Sequence, residues 1–143
     1  EIGIDEITPI LCQCSERKVL KEERLEKIVI SAMKQSLKAQ LPQLDELTPV
    51  EDFLAEESDA QRFIAYCDES LPRDERQSLA QVYNPNRDAV VMIGPEGDYD
   101  PQEVVAAVKA GFVPVTLGES RLRTETAALM AVATMHAILS VKC

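Results

Sequence analysis

Between residues 21 and 40 apolar side chains return every three or four positions, at Leu25, Ile28, Val29, Ala32, Met33 and Leu37, with charged residues between them. That spacing lines one face of an α-helix and predicts a helix over Lys21–Gln40, stopped by Pro42. Other apolar runs are short and rich in β-branched residues. Glu6–Cys12, Arg62–Cys67, Asp88–Ile93 and Phe112–Leu117 read as strands, and the nearly unbroken Asp88–Ile93 run suits a parallel strand covered on both faces. Two capping-box sequences lie among them. Thr48-Pro49-Val50-Glu51 predicts a short helix over residues 49 to 56, and Asp100-Pro101-Gln102-Glu103 a helix through Ala110 with Gly111 as its stop. The polar stretch from Asp68 to about Asn86 holds one amphipathic turn around Leu79, Val82 and Tyr83 and reads as a connection or flap. The last segment, Thr124–Val141, is apolar nearly all round. A surface helix keeps a polar face, so this one is expected to be covered on two sides, the outer by a second copy of the chain. His136 within it is expected as an interface or core histidine rather than a catalyst. Strands alternating with helices predict an α/β fold, a mainly parallel sheet flanked by helices, as one domain over residues 1 to 143.

Composition narrows the class. A chain of 143 residues with 45% hydrophobic content can bury a core without disulfides. The cysteines, Cys12, Cys14, Cys67 and Cys143, form no C-x-x-C pair and His136 is the single histidine, so no metal site is expected. Reduced thiols fit a cytoplasmic protein. No unbroken run of eighteen apolar residues and no signal-peptide pattern occurs, so no membrane association is expected. Glu1-Ile2-Gly3 leads almost directly into a strand, as if after a helix's C-cap glycine, and reads as an N-terminally truncated piece of a longer protein. A net charge of −10 argues against a nucleic-acid partner by its sum. Its distribution is less even: Arg17, Lys18, Lys21, Arg24 and Lys27 cluster, as do Arg121 and Arg123, while acids crowd between Asp45 and Glu75. The first cluster reads either as a solvated helix start laced with Glu22, Glu23 and Glu26 or as a phosphate-facing patch.

The candidate chemistry sits in two turns. Ile93-Gly94-Pro95-Glu96-Gly97-Asp98-Tyr99-Asp100 follows one strand, and Leu117-Gly118-Glu119-Ser120-Arg121-Leu122-Arg123-Thr124-Glu125-Thr126-Ala127 follows the next. Each precedes a helix, so both are expected side by side at the carboxyl ends of neighbouring strands, where α/β proteins bind small ligands. In the first, Pro95 suits the second turn position and Gly97 the fourth; the spacing is neither the dinucleotide nor the Walker pattern, so phosphate cradling is not predicted. In the second, Leu117 and Leu122 around Gly118 can line a slot for a flat ring, with Thr124 capping the helix and Arg123 reaching an anionic substrate. The same residues also read as an ordinary helix start with an Arg121–Glu125 or Arg123–Glu125 surface pair. Gln35 and Ser36 fall on or beside the apolar face of the first helix. Ser36 can bond back to the carbonyl four residues earlier and Gln35 to a neighbouring loop, or Gln35 can reach a ligand.

Together, Ile93-Gly94-Pro95-Glu96-Gly97, Ala110-Gly111-Phe112, and Leu117-Gly118 through Leu122-Arg123-Thr124-Glu125-Thr126-Ala127 resemble the C-terminal signature of the RsmE family. These SPOUT-superfamily methyltransferases modify N3 of a uridine in 16S ribosomal RNA. Ile4-Asp5-Glu6-Ile7-Thr8-Pro9, Glu23-Arg24-Leu25 and Gln35-Ser36 extend the resemblance over nearly the whole chain. It implies a C-terminal deep trefoil knot, which pattern reading alone would exclude. It further implies S-adenosyl-L-methionine bound in the knot loops and a homodimer through the last helix. By the resemblance, Gly94 and Gly97 lie along the cofactor, Leu117, Gly118 and Leu122 surround its adenine and ribose, and Tyr66 and Cys67 form a third wall. Arg123 faces the RNA or the target base, and Glu96, Glu125 or solvent takes the N3 proton. The implied partner is 16S ribosomal RNA or the small ribosomal subunit, with Arg17, Lys18, Gln35, Lys38 and Arg121 as RNA contacts. The family's N-terminal PUA-like domain has no counterpart in this sequence. Gln13-Cys14-Ser15 stands where Glu-Arg-Ser is usual, Lys34-Gln35-Ser36-Leu37-Lys38 where Glu-Gln-Ser-Gly-Arg is usual, and Tyr66 where histidine is common. A knotted nucleotide- or RNA-binding module without catalytic activity is the alternative.

Overall fold

The apolar runs expected as strands separate into two groups in the computed structural model, which describes residues 1–66 and 76–141. The first run is not one strand. Pro9 lacks an N–H and divides it into β1 (Glu6–Ile7) and β2 (Ile10–Leu11), which pair in parallel with β3 (Gln43–Leu44) and β4 (Thr48–Pro49) respectively. Between them, α1 runs over Glu22–Gln35, shorter at its end than the predicted Lys21–Gln40. Leu37 takes a left-handed φ of 57°, while the Lys38 N–H donates to the Met33 carbonyl and the Leu37 N–H to that of Lys34. These two bonds make a Schellman ending with leucine at the position that favours glycine. Ser36 bonds back to the Ala32 carbonyl at 2.8 Å, the first of its two readings.

The first capping box also resolves differently. Thr48 and Pro49 are held in β4 against Ile10 and Leu11, so α2 spans Val50–Ala55 without a side-chain cap, and the Thr48 hydroxyl donates to the Glu46 carbonyl. The central sheet follows. β5 (Gln61–Ala65) lies between β6 (Ala89–Ile93) and β7 (Val113–Val115), all parallel, with α3 (Leu79–Val82) and α4 (Pro101–Lys109) in the connections and α5 (Thr124–Val141) last. The Asp100–Glu103 box forms as expected, with both side chains engaged, and Gly111 follows α4 at φ 93°.

Period-two alternation divides the core into two halves. Ile64 and Met92 point to one face and pack with Cys12, Val50, Tyr99, Ala107 and Phe112 under α2 and α4; Phe63 and Val115 point to the other, with Leu79 of α3 and Ala131 of α5. The result is a three-layer α/β arrangement. Two helices remain largely uncovered. α1 has no buried residue and Ile28 is 53% exposed; in α5 only Ala131 is buried, while Leu129, Met130 and Leu139 stand exposed. His136 is exposed too, so it is not a core histidine of the single chain. By length and composition α5, with a mean hydropathy of 1.3, is apolar enough to cross a membrane, which the absence of an unbroken apolar run had not suggested. Its Ala131 is nevertheless 1% exposed against the sheet.

Candidate functional site

Register brings the two turns together. Ala65 at the end of β5 is paired on one side with Ile93, the last residue of β6, and on the other with Val115, the last of β7. Three carboxyl ends therefore share one edge, and a cavity of about 340 Å³ opens there. Its wall comprises Ala65, Tyr66, Arg76, residues 93–96, Asp98, residues 115–122, Thr124 and Ala127.

The first turn is shifted by one residue from expectation. The Asp98 N–H donates to the Pro95 carbonyl at 2.9 Å, so Pro95 is the first residue of the turn, and Asp98, not a glycine, adopts the positive φ, 63°. Gly94 and Gly97 are needed for closeness. A Cβ on Gly94 would lie 3.1 Å from the Tyr99 ring, and one on Gly97 3.2 Å from Cys14 Cβ, so a side chain at either position would run into protein. The second turn does need glycine for its backbone. Gly118 has φ 140°, its N–H donates to Thr116 Oγ1 at 3.2 Å, and the same hydroxyl donates to its carbonyl at 2.8 Å. A Cβ there would meet nothing within 4 Å. Thr124 does not cap α5, of which it is the first residue. Its hydroxyl donates to the Gly94 carbonyl at 2.9 Å, tying the two turns across thirty positions of sequence.

Behind the first turn the 12–15 loop is fixed by Glu103. One of its carboxylate oxygens accepts the Asp100 N–H and the other the Gln13 N–H at 2.8 Å, placing Cys14 beside Gly97. Burial, with the Glu103 carboxylate next in effect, pushes the Cys12 thiol up to about 12. Burial likewise raises the Tyr99 phenol, whose hydroxyl has no hydrogen-bond partner among the described residues. Both groups stay neutral at ordinary pH, so neither is a nucleophile or base there.

Of the residues singled out from sequence, Tyr66, Gly94, Leu117, Gly118, Leu122 and Glu96 line the cavity together. Arg121, expected on the RNA side, lines it as well. Gly97, Arg123 and Glu125 are not on the wall, and Cys67 lies outside the described residues. Arg17 and Lys18 precede α1; Gln35 and Lys38 sit at its far end, away from the wall. Sequence reasoning missed Arg76, Thr116, Glu119 and Asp98. Arg76 sits in the polar stretch that reads as a connection or flap, and the pairing of Ser78 with Thr116 holds the chain just after it at the cavity. Among the described residues, no cluster of three or more metal-ligating side chains occurs.

Two arginines, Arg76 and Arg121, and three carboxylates, Glu96, Asp98 and Glu119, stand on the wall with apolar Leu117, Leu122 and Ile93. Such a lining suits a zwitterionic ligand with an apolar ring. Known proteins share this frame. A structure of a probable rRNA-methyltransferase from Porphyromonas gingivalis superposes with a TM-score of 0.90 at 46% identity, covering 99% of this chain and 59% of that one. A ribosomal RNA small subunit methyltransferase E from Neisseria gonorrhoeae, solved bound to S-adenosyl methionine, gives a TM-score of 0.81 at 30% identity, over 96% and 57%. The methyltransferase E of Rickettsia conorii is 29% identical over 137 residues, 93% of this chain and 54% of that protein. The chain thus spans about half the length of the curated relatives it matches. Residues 1–136 match the RNA methyltransferase domain, and the chain belongs to that family.

Proposed function

We propose that this chain is the methyltransferase domain of an S-adenosylmethionine-dependent ribosomal RNA methyltransferase that acts on N3 of a uridine in 16S ribosomal RNA. The observation that carries the reading is the cavity built by both glycine turns at the shared carboxyl ends of β5, β6 and β7. Relatives named ribosomal RNA small subunit methyltransferase E, one of them solved with the methyl donor, support it. The C-terminal trefoil knot is part of the same proposal, as is a homodimer through α5, supported by its exposed Leu129, Met130 and Leu139.

The residues present fit the donor. The wall's formal charge of three acids and two arginines complements a ligand that carries sulfonium and ammonium charges and one carboxylate. Open space at Gly118 leaves room for a ring against Leu117 and Leu122. Bound there, the donor would supply an electrophilic methyl group. This chain's contribution is positioning, since methyl transfer requires carbon, nucleophile and leaving sulfur in line. The Thr124–Gly94 hydrogen bond and the Thr116–Gly118 pair hold the wall for that task. Of the two carboxylates nominated beside solvent as proton acceptors, Glu96 lines the cavity and Glu125 does not, which favours Glu96 over Glu125 for the N3 proton. Arg123, Arg17, Lys18, Gln35 and Lys38 remain proposed RNA contacts outside the wall.

Calorimetric titration with S-adenosylmethionine tests the reading: saturable binding at one site per chain is expected, and no binding up to millimolar donor would remove it. Sedimentation equilibrium at micromolar concentration is expected to give twice the chain mass. A monomer would sink the α5 interface while leaving the cavity assignment standing.

A further inference from the structure

We infer that Arg76 is the anchor for the anionic end of the ligand, holding the α-carboxylate of the methyl donor on the cavity wall. The inference rests on the donor reading above and deepens it.

The backbone that immediately follows Arg76 is held on both sides of a bridge. The Thr116 N–H donates to the Gln77 carbonyl at 2.8 Å and the Leu79 N–H to the Thr116 carbonyl at 3.1 Å, joining Ser78 in parallel to the residue that follows β7. Ser78 then caps α3 through a complete capping box with Gln81, and Leu79 is 1% exposed in the core. A residue two positions before that cap starts from a backbone held on the strand end that leads into Leu117 and Gly118. From there Arg76, half-buried, contributes to the cavity wall.

Charge chooses its partner. Arg121, the other cation on the wall, is exposed, whereas Arg76 is half-buried, so Arg76 is the one screened from bulk water. A guanidinium has five donors in a rigid fork and can grip a carboxylate with two while keeping a protein partner. An RNA phosphate approaching from outside would meet exposed Arg121 first. The carboxylates of Glu96, Asp98 and Glu119 suit the donor's two positive charges, which leaves its one negative charge to Arg76.

The test compares S-adenosylmethionine with its decarboxylated analogue, which keeps both positive charges and lacks only the carboxylate. Binding of each to the wild-type chain, Arg76→Gln and Arg76→Lys is measured by calorimetry. Arg76→Gln should weaken S-adenosylmethionine about tenfold and the analogue less than twofold, erasing the wild-type preference, and Arg76→Lys should restore part of it. Equal affinity of Arg76→Gln and wild type for S-adenosylmethionine would overturn the inference. Equal losses for both compounds would overturn it too, because they would mark a general role in shaping the wall. If the wild-type chain binds neither compound, the donor reading itself fails, a result distinct from either.

Discussion

At the residue scale the hydroxyl of Thr124 does more than its sequence position suggests. Threonine before a helical run reads as a cap, yet this one spans to the Gly94 carbonyl at 2.9 Å and fastens α5 to the end of β6. Such a bond contributes about 1 kcal/mol net, so Thr124→Val is expected to weaken S-adenosylmethionine binding about fivefold, with Thr124→Ser near wild type. Calorimetry on the three proteins checks this; unchanged affinity in Thr124→Val would show that the wall holds without the tie. Local chemistry made part of the site legible: Gly118 needs its φ of 140°, and Leu117 and Leu122 line the cavity with it. The rest depended on contacts distant in sequence. Gly94 and Gly97 are small because Tyr99 and Cys14 stand against them, and Arg76 arrives through a bridge to Thr116, none of which a linear pattern records.

At the scale of elements, two identical-looking capping boxes diverge because only one has free residues. Asp100 and Glu103 lie in no strand and form theirs, whereas Thr48 and Pro49 are paired with Ile10 and Leu11 before α2 begins. Pro9 likewise splits a run whose apolar pattern reads as continuous. The end of α1 shows a cost left in place. Leu37 at φ 57° is 91% exposed, so its side chain returns little packing for the strain. Leu37→Gly is expected to stabilise the chain by about 0.5–1 kcal/mol, the left-handed strain relieved less the added unfolded-state entropy. Leu37→Ala, which keeps a Cβ, should give little change. Urea midpoints at equal slope decide it, and a destabilised glycine variant would show that the left-handed turn carries no strain.

For the molecule as a whole, the nearly unbroken apolar run Asp88–Ile93 foretold a strand covered on both faces, and the two core clusters realise it. What alternation cannot give is order in space: β5 sits between β6 and β7 although it precedes both. The core also sets an alkaline limit. Below pH 9 folded and unfolded chains both keep the Cys12 proton. Between 9.0 and about 12 only the unfolded chain loses it, and Tyr99, raised in the same direction, adds to the effect. Stability should therefore fall as pH rises above 9, less steeply in Cys12→Ala; urea midpoints from pH 7.5 to 10.5 that stay level would contradict it. Finally, every residue on the cavity wall lies between Ala65 and Ala127, so the first sixty positions supply none of it. A small ligand seated there would consequently touch only the later part of this sequence, and the earlier part would bear on it through the packing behind the first turn. A substitution at Cys14 would therefore act on the pocket from behind, through the Gly97 that it abuts, and not through the lining itself.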